Sequence, residues 1–210
     1  MNQTDYWNSV ANEKRFTTTF QENIFCKYVD KSAKILDVGC GYGRTLNEMY
    51  NAGYKNLVGA DTSIEMLNRG KREFPHIEFV QSSEILPFED CFFDAVILFG
   101  VLCSVVNEDT QRNLINEIKR VLKPNGVIYV NDFLINDNIL YKLRYKKNQN
   151  EFGIYGVFKL DDGGIIRHHT EDYIKELLFG FTLLEYKKLQ FKTTGGNISN
   201  GFYFIGSKHL

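Results

Sequence analysis

The residues best placed to do chemistry are Asp37 and the glycines after it, in the run Asp37-Val38-Gly39-Cys40-Gly41-Tyr42-Gly43. Glycines at alternate positions let a backbone turn sharply and approach a ligand closely, and a helix beginning just beyond them aims its free N–H groups at the same place. A second carboxylate, Asp61, closes the next apolar segment and is suited to accept hydrogen bonds from ribose hydroxyls. The glycines run G-x-G-x-G, whereas a dinucleotide loop runs G-x-G-x-x-G and wants a small residue at position 44, where Arg44 stands. A carboxylate ahead of the loop repels a pyrophosphate and suits an ammonium group. The chemistry implied is the binding of a nucleoside with an amino-acid end, in preference to NAD.

Other chemistries fit the chain poorly. Four cysteines (Cys26, Cys40, Cys91 and Cys103) lie far apart, with no CxxC pair and no histidine at ligand spacing, so no metal site or disulfide framework is expected. The thiols should be reduced, with Cys40 and Cys103 as packing residues. Lys+Arg 25 against Asp+Glu 26 leaves a net charge of -1, no basis for a nucleic-acid or membrane-surface partner. The N-terminal stretch lacks a signal peptide's apolar core, and no run approaches the roughly 20 apolar residues of a membrane span. A cytoplasmic protein is expected. At 210 residues and 43% hydrophobic, the chain can bury one sizeable core.

The elements that must position these residues alternate. Residues 16–29 carry apolar side chains at helical spacing and predict an amphipathic helix. A buried strand over 33–38 runs into the glycine loop, and a helix over 44–51 follows. Next come a strand at 56–60, a helix at 63–73 with Ser63 as N-cap, and a strand at 77–80. Residues 92–99 form a central strand, a helical stripe runs from Leu114 to Leu122, and Pro124-Asn125-Gly126 turns the chain into a strand at 127–133. This is the pattern of a doubly wound, mostly parallel α/β sheet. Residues 136–152 show no clean period. Residues 154–160 and 165–169 flank Asp161-Asp162-Gly163-Gly164 and predict a β-hairpin insertion. A helix capped by Thr170 and two strands, 183–191 and 201–207 with Gly195-Gly196-Asn197 between them, complete an α/β sheet of seven strands whose last strand is antiparallel. A single domain, 1–210, is expected: an N-terminal helical cap (1–30), a cofactor-binding core (34–133), a lid or hairpin insertion (136–169) and a C-terminal helix with two strands (170–210).

The segment Ile35-Leu36-Asp37-Val38-Gly39-Cys40-Gly41-Tyr42-Gly43-Arg44 resembles the first motif of class I S-adenosylmethionine-dependent methyltransferases. Three later segments are similar to that family in order: 58–67, Leu86-Pro87-Phe88 with Phe93-Asp94-Ala95-Val96, and 122–127. The resemblance spans roughly residues 34–132 and implies a Rossmann-like methyltransferase fold with S-adenosylmethionine as methyl donor, S-adenosylhomocysteine as product and no metal. It implies that Gly39, Cys40, Gly41 and Gly43 line the methionine and ribose portion, Asp37 faces the amino-acid end, and Asp61 accepts from both ribose hydroxyls. Thr62 and Met66 would lie along adenine, Ser82 and Ser83 at its edge, and Phe99 beneath the sulfonium. Ser82 departs from the Asp often found there, leaving a weaker neutral acceptor.

Methyl transfer from a sulfonium is an in-line displacement that needs a positioned nucleophile in a dry pocket and no fixed triad. Leu98-Phe99-Gly100-Val101 lacks the Asp/Asn-Pro-Pro-aromatic element of enzymes that methylate flipped bases. A small-molecule acceptor with an O, N or S nucleophile is expected. Its pocket would be lined by Arg15, Phe16, Tyr155, Arg167 and His169, and His168, His169 and Tyr6 are the candidates for a catalytic role. Monomer and homodimer both remain open. A non-catalytic binder of S-adenosylmethionine or S-adenosylhomocysteine, and a NAD-dependent oxidoreductase, are the rival readings.

Overall fold

The structure, a computed structural model, describes residues 3–193 and 196–209; the expected turn residue Gly195 lies outside them. Two short helices, α1 (Thr4–Val10) and α2 (Glu22–Phe25), precede β1 (Ile35–Val38). Then come α3 (Arg44–Asn51), β2 (Leu57–Asp61), α4 (Ile64–Glu73), β3 (Glu78–Gln81), β4 (Phe93–Phe99), α5 (Glu108–Val121) and β5 (Leu122–Phe133). The remainder is α6 (Ile139–Phe152), β6 (Val157–Lys159), β7 (Ile165–Arg167), α7 (Glu171–Leu177), β8 (Phe181–Lys192) and β9 (Ile198–Lys208). Seven strands form one sheet in the order β3-β2-β1-β4-β5-β9-β8. The first five pair in parallel, and β9 pairs antiparallel with both β5 and β8.

The strands alternate so that both faces are buried. Leu36, Val38, Val58, Val96, Leu98, Ile128 and Val130 face one apolar cluster, and Ile35, Leu57, Ala95, Ile97, Val127 and Tyr129 face the other. The sheet order reverses at β1 and β4, so the crevice beyond their carboxyl ends is where a doubly wound fold holds its ligand. Asp37, the glycine loop, Asp61 and Phe99 all end strands at that edge. Pro124-Asn125-Gly126 turns inside β5, with Asn125 at φ +62°.

Two expectations are corrected. Residues 16–29 do not form one helix: 14–21 are irregular and only Glu22–Phe25 is helical, while α1 lies earlier. Thr17-Thr18-Thr19 is a β-branched run with low helix propensity, and tertiary contacts claim its neighbours. Phe16 stacks on Tyr42, and Phe20 packs against Phe25, Phe99 and Tyr129. Residues 139–152, which show no period, are the helix α6, capped by Asn138 accepting from the Tyr141 amide at 3.0 Å. Its apolar side chains divide: Tyr141 and Tyr145 are buried, whereas Ile139, Leu140 and Leu143 face outward, so no single stripe marks it. The β6–β7 hairpin forms as expected, and Thr170 caps α7 by accepting from the Tyr173 amide at 3.2 Å. Among the described residues no helix is long and apolar enough to cross a membrane, and no group of three or more His, Cys, Asp or Glu side chains could hold a metal ion.

Candidate active site

Gly39, Gly41 and Gly43 have φ of +71°, +56° and +82°, the left-handed region where a side chain is strained. Space forbids one as well: a Cβ on Gly39 would lie 2.5 Å from Val101 Cγ2, and one on Gly41 would lie 2.8 Å from the Phe16 ring. The loop is therefore pressed between Val101, just beyond β4, and the strap at 14–21, which Arg44 ties down by donating to the Thr18 carbonyl at 2.7 Å.

Asp61 braces the loop from below. Its two carboxylate oxygens accept from the Gly41 amide at 2.7 Å and the Ser63 amide at 2.8 Å, each retaining capacity for a further donor. Asp37 is buried, 3% exposed, and no hydrogen bond reaches its carboxylate among the described residues. Burial, then the nearby Asp61 charge, hold its carboxyl well above the usual range, with Arg44 offsetting part. Burial also raises Asp61, against the Ser63, Gly41 and Thr62 amides that favour its ionised form. The Cys40 and Cys103 thiols are buried and pushed well up, so both stay protonated packing groups.

One cavity of about 860 Å³ opens over this edge. Of the residues implied for the donor, Asp37, Gly39, Cys40, Gly41, Asp61, Thr62, Met66, Ser82, Ser83 and Phe99 line it, and Gly43 turns the backbone behind them. A Cβ on Gly100 would meet nothing within 4 Å, so the cavity has room beside Phe99. Two carboxylates with raised affinity for positive partners, a backbone cradle and the absence of any phosphate-neutralising lysine in the loop fit an ammonium-bearing nucleoside.

The cavity continues into a second lobe walled by Phe133, Tyr141, Arg144, Phe158, Ile166 and His168. Its roof joins the N-terminal segment to the hairpin. Gln3 donates to the Ser104 and Ile165 carbonyls and accepts from the Ile165 amide, all at 2.7 Å. Lys14 pairs with Asp162 at 2.7 Å and donates to the Tyr6 hydroxyl at 2.9 Å, while Tyr6 packs against Gly164. Gln3, Phe133, Leu160 and Ile166 carry no sequence signal for this role, because it arises only where the two segments meet.

The acceptor-side expectations divide. Arg15, Phe16 and His168 line the cavity. Tyr6, Tyr155, Arg167 and His169 are not among its lining residues. Tyr6 serves the roof, and Tyr155 is 40% exposed with its ring against Tyr145. Arg167 is held by Glu108 at 2.6 Å and the Val106 carbonyl at 2.8 Å. His169 is sealed in the core, its Nε2 on Gln111 at 2.9 Å and its ring stacked on Tyr173. Burial pushes both His168 and His169 down to about 3, so neither is a cation at neutral pH.

With that geometry in place, comparison with known proteins is specific. A methyltransferase domain family matches residues 36–130. A demethylmenaquinone methyltransferase of Chlorobaculum tepidum is 32% identical over 143 residues, covering 67% of this chain and 54% of that protein. A ubiquinone/menaquinone biosynthesis C-methyltransferase of Campylobacter jejuni is 28% identical over 119 residues, 53% of this chain and 49% of that protein. The chain thus spans about half the length of these curated relatives. The crystal structure of an S-adenosylmethionine-dependent methyltransferase from Methanosarcina mazei superimposes with a TM-score of 0.86 at 27% identity, covering 92% of this chain and 100% of that one. The glycine loop, the sheet order and these matches agree, and together they support a class I S-adenosylmethionine-dependent methyltransferase.

Proposed function

We propose that the protein transfers the methyl group of S-adenosylmethionine to a small-molecule acceptor held in the second lobe. The observation that carries this reading is the single cavity joining the Asp37–Asp61 glycine cradle to an aromatic lobe under one roof, at a volume suited to small ligands. Asp37 would pair with the ammonium, Asp61 with the ribose hydroxyls, Met66 and Thr62 with adenine, Ser82 and Ser83 with its edge, and Phe99 with the sulfonium side. The bound donor supplies an electrophilic methyl carbon whose bond electrons return to sulfur on transfer. The chain's own contribution is to bring an acceptor atom in line and exclude water, which the Gln3 and Lys14–Asp162 ties across the roof support. On the same reading residues 34–133 bind the donor, and 1–30 with 136–169 cover the acceptor. The relatives named as C-methyltransferases add carbon to the expected O, N and S acceptor atoms.

Calorimetry tests the donor half: S-adenosylhomocysteine is expected to bind at micromolar level, about -8 kcal/mol, and NAD not to bind. A metabolite screen reading S-adenosylhomocysteine release tests the transfer. Tight NAD binding would overturn the assignment. Donor binding without turnover across a broad screen would favour a non-catalytic binder.

A further inference from the structure

His168 is walled by rings. Phe133 stacks on its imidazole with centroids 5.4 Å apart, Phe158 meets it edge-on at 5.0 Å, and Tyr141 lies at 5.3 Å. Its Nδ1 faces the Tyr145 hydroxyl at 2.8 Å and the Asn136 side-chain nitrogen at 3.2 Å. The orientation of Asn136 is set independently: its oxygen accepts from the Asn200 amide at 2.8 Å, and its nitrogen donates to the Leu134 carbonyl at 3.0 Å and the Ser199 hydroxyl at 3.1 Å. Those two bonds take both hydrogens of the Asn136 amide, while the Tyr145 oxygen accepts the Asn136 backbone N–H at 3.2 Å and turns its own O–H to Nδ1, so Nδ1 accepts. The proton of the neutral ring then sits on Nε2, which has no protein partner among the described residues and belongs to a ring lining the cavity. His168 offers the lobe a hydrogen-bond donor, and with its proton already on Nε2 it is no proton acceptor there.

Arg144 supplies the charge. It lines the same lobe from α6, its guanidinium carbon 5.0 Å from the Phe158 ring centroid and 5.8 Å from that of Tyr141. No carboxylate pairs with it and no acceptor takes its guanidinium hydrogens among the described residues, whereas Arg44, Arg69, Arg112, Arg120 and Arg167 each have an acidic partner. An unpaired guanidinium held over aromatic faces is a site for a planar oxyanion. Of the two arginines the sequence placed on the acceptor side, Arg15 lines the cavity and Arg167 is held by Glu108; Arg144, one helix earlier, is a further positive group there.

We propose that the aromatic lobe takes a flat ring acceptor that arrives already ionised, its ring against Phe133, Tyr141 and Phe158 and its oxyanion shared between the Arg144 guanidinium and the His168 Nε2–H. This deepens the methyl-transfer reading and rests on it. An acceptor that enters as a phenolate or enolate needs no proton removed, which matches a lobe whose histidine is a donor.

The test uses 4-nitrophenol and nitrobenzene as probes on the full chain loaded with S-adenosylhomocysteine. The phenolate is expected to bind at least tenfold tighter than nitrobenzene, and the absorbance of its anion to appear at lower pH when bound. Arg144→Gln, at a half-buried position, is expected to abolish both the preference and the absorbance shift while leaving S-adenosylhomocysteine affinity within twofold; Arg144→Lys should restore part of the preference. Nitrogen-15 spectra are expected to show the Nε2–H tautomer of His168. Equal affinity for the two probes, binding of neither, or an unchanged preference in Arg144→Gln would overturn the proposal, and an Nδ1–H tautomer would remove His168 from it. Failure of S-adenosylhomocysteine to bind strikes the donor reading instead, and the probe preference measured on the ligand-free chain still decides the acceptor lobe.

Discussion

Asp37 makes a sharp prediction because its burial serves the ligand and works against the empty protein. In the ligand-free chain its carboxyl holds a proton well above the usual value of 3.8, chiefly through desolvation and then through Asp61. An ammonium placed beside it reverses that preference, so binding S-adenosylhomocysteine should release a proton in the window between 3.8 and the raised value. Affinity then climbs as pH rises through that window, by up to about tenfold or 1.4 kcal/mol per pH unit, and levels off above it. Stability of the empty protein runs the other way. With more protons bound folded than unfolded, it falls as pH rises through the same window. Asp37→Asn keeps the shape and removes the charge, so it should stabilise the empty protein above the window by about 1–3 kcal/mol and weaken S-adenosylhomocysteine by about 10–100-fold. Calorimetry in two buffers of different ionisation enthalpy counts the protons, and urea unfolding reads stability. Asp132, raised to about 6 by burial, is an internal control, since it lies outside the cavity lining and should titrate alike with and without ligand. Binding without proton release in wild type, or an Asp37→Asn protein with unchanged affinity, would refute the pairing.

Gly39 and Gly100 share almost the same backbone, φ +71° and +70°, but only Gly39 has a neighbour where a Cβ would go. Gly100→Ala should cost about 1–2 kcal/mol from the left-handed conformation alone. Gly39→Ala should cost about 1–3 kcal/mol more from the contact with Val101, and equal losses in urea unfolding would contradict the packing. Neither His168 nor His169 should titrate between pH 5 and 8 in proton NMR, since both are pushed down to about 3. Because protonation favours the unfolded chain, each should withdraw up to about 1.4 kcal/mol of stability per pH unit as pH falls below 6.5. A midpoint near 6.5 for either ring would show it open to water.

Much of this protein was legible along the chain because the signals are local. The glycines at 39, 41 and 43 and the apolar runs at 35–38 and 93–99 dictate turns and buried strands from their own side chains, and the β–α alternation leaves few ways to build a sheet. Ser63 and Thr170 cap the helices they precede, because a cap needs only a neighbouring amide. The aromatic lobe depends on contacts that no short window contains. Residues 14–21 give up a helical pattern to lie across the loop, where Phe16 meets Gly41 and Tyr42. α6 hides its period because its tyrosines turn inward and its aliphatic residues outward.

The paired histidines show the division most clearly. Consecutive residues leaving a strand point to opposite sides. Which side holds a cavity, and which a core glutamine, is decided by segments far away in sequence: Asn136 and Tyr145 for His168, Gln111 for His169. Arg167 likewise looked free until α5 brought Glu108 to it, while Arg144 remained unpaired on α6. The sequence by itself determined the parallel sheet, its glycine turn and the acidic pair beside that turn, since each follows from side-chain type and short-range backbone geometry. Only the tertiary structure decided which positive charge stays unpaired and which imidazole lines the cavity, because pairing and burial are properties of what the folded chain brings alongside.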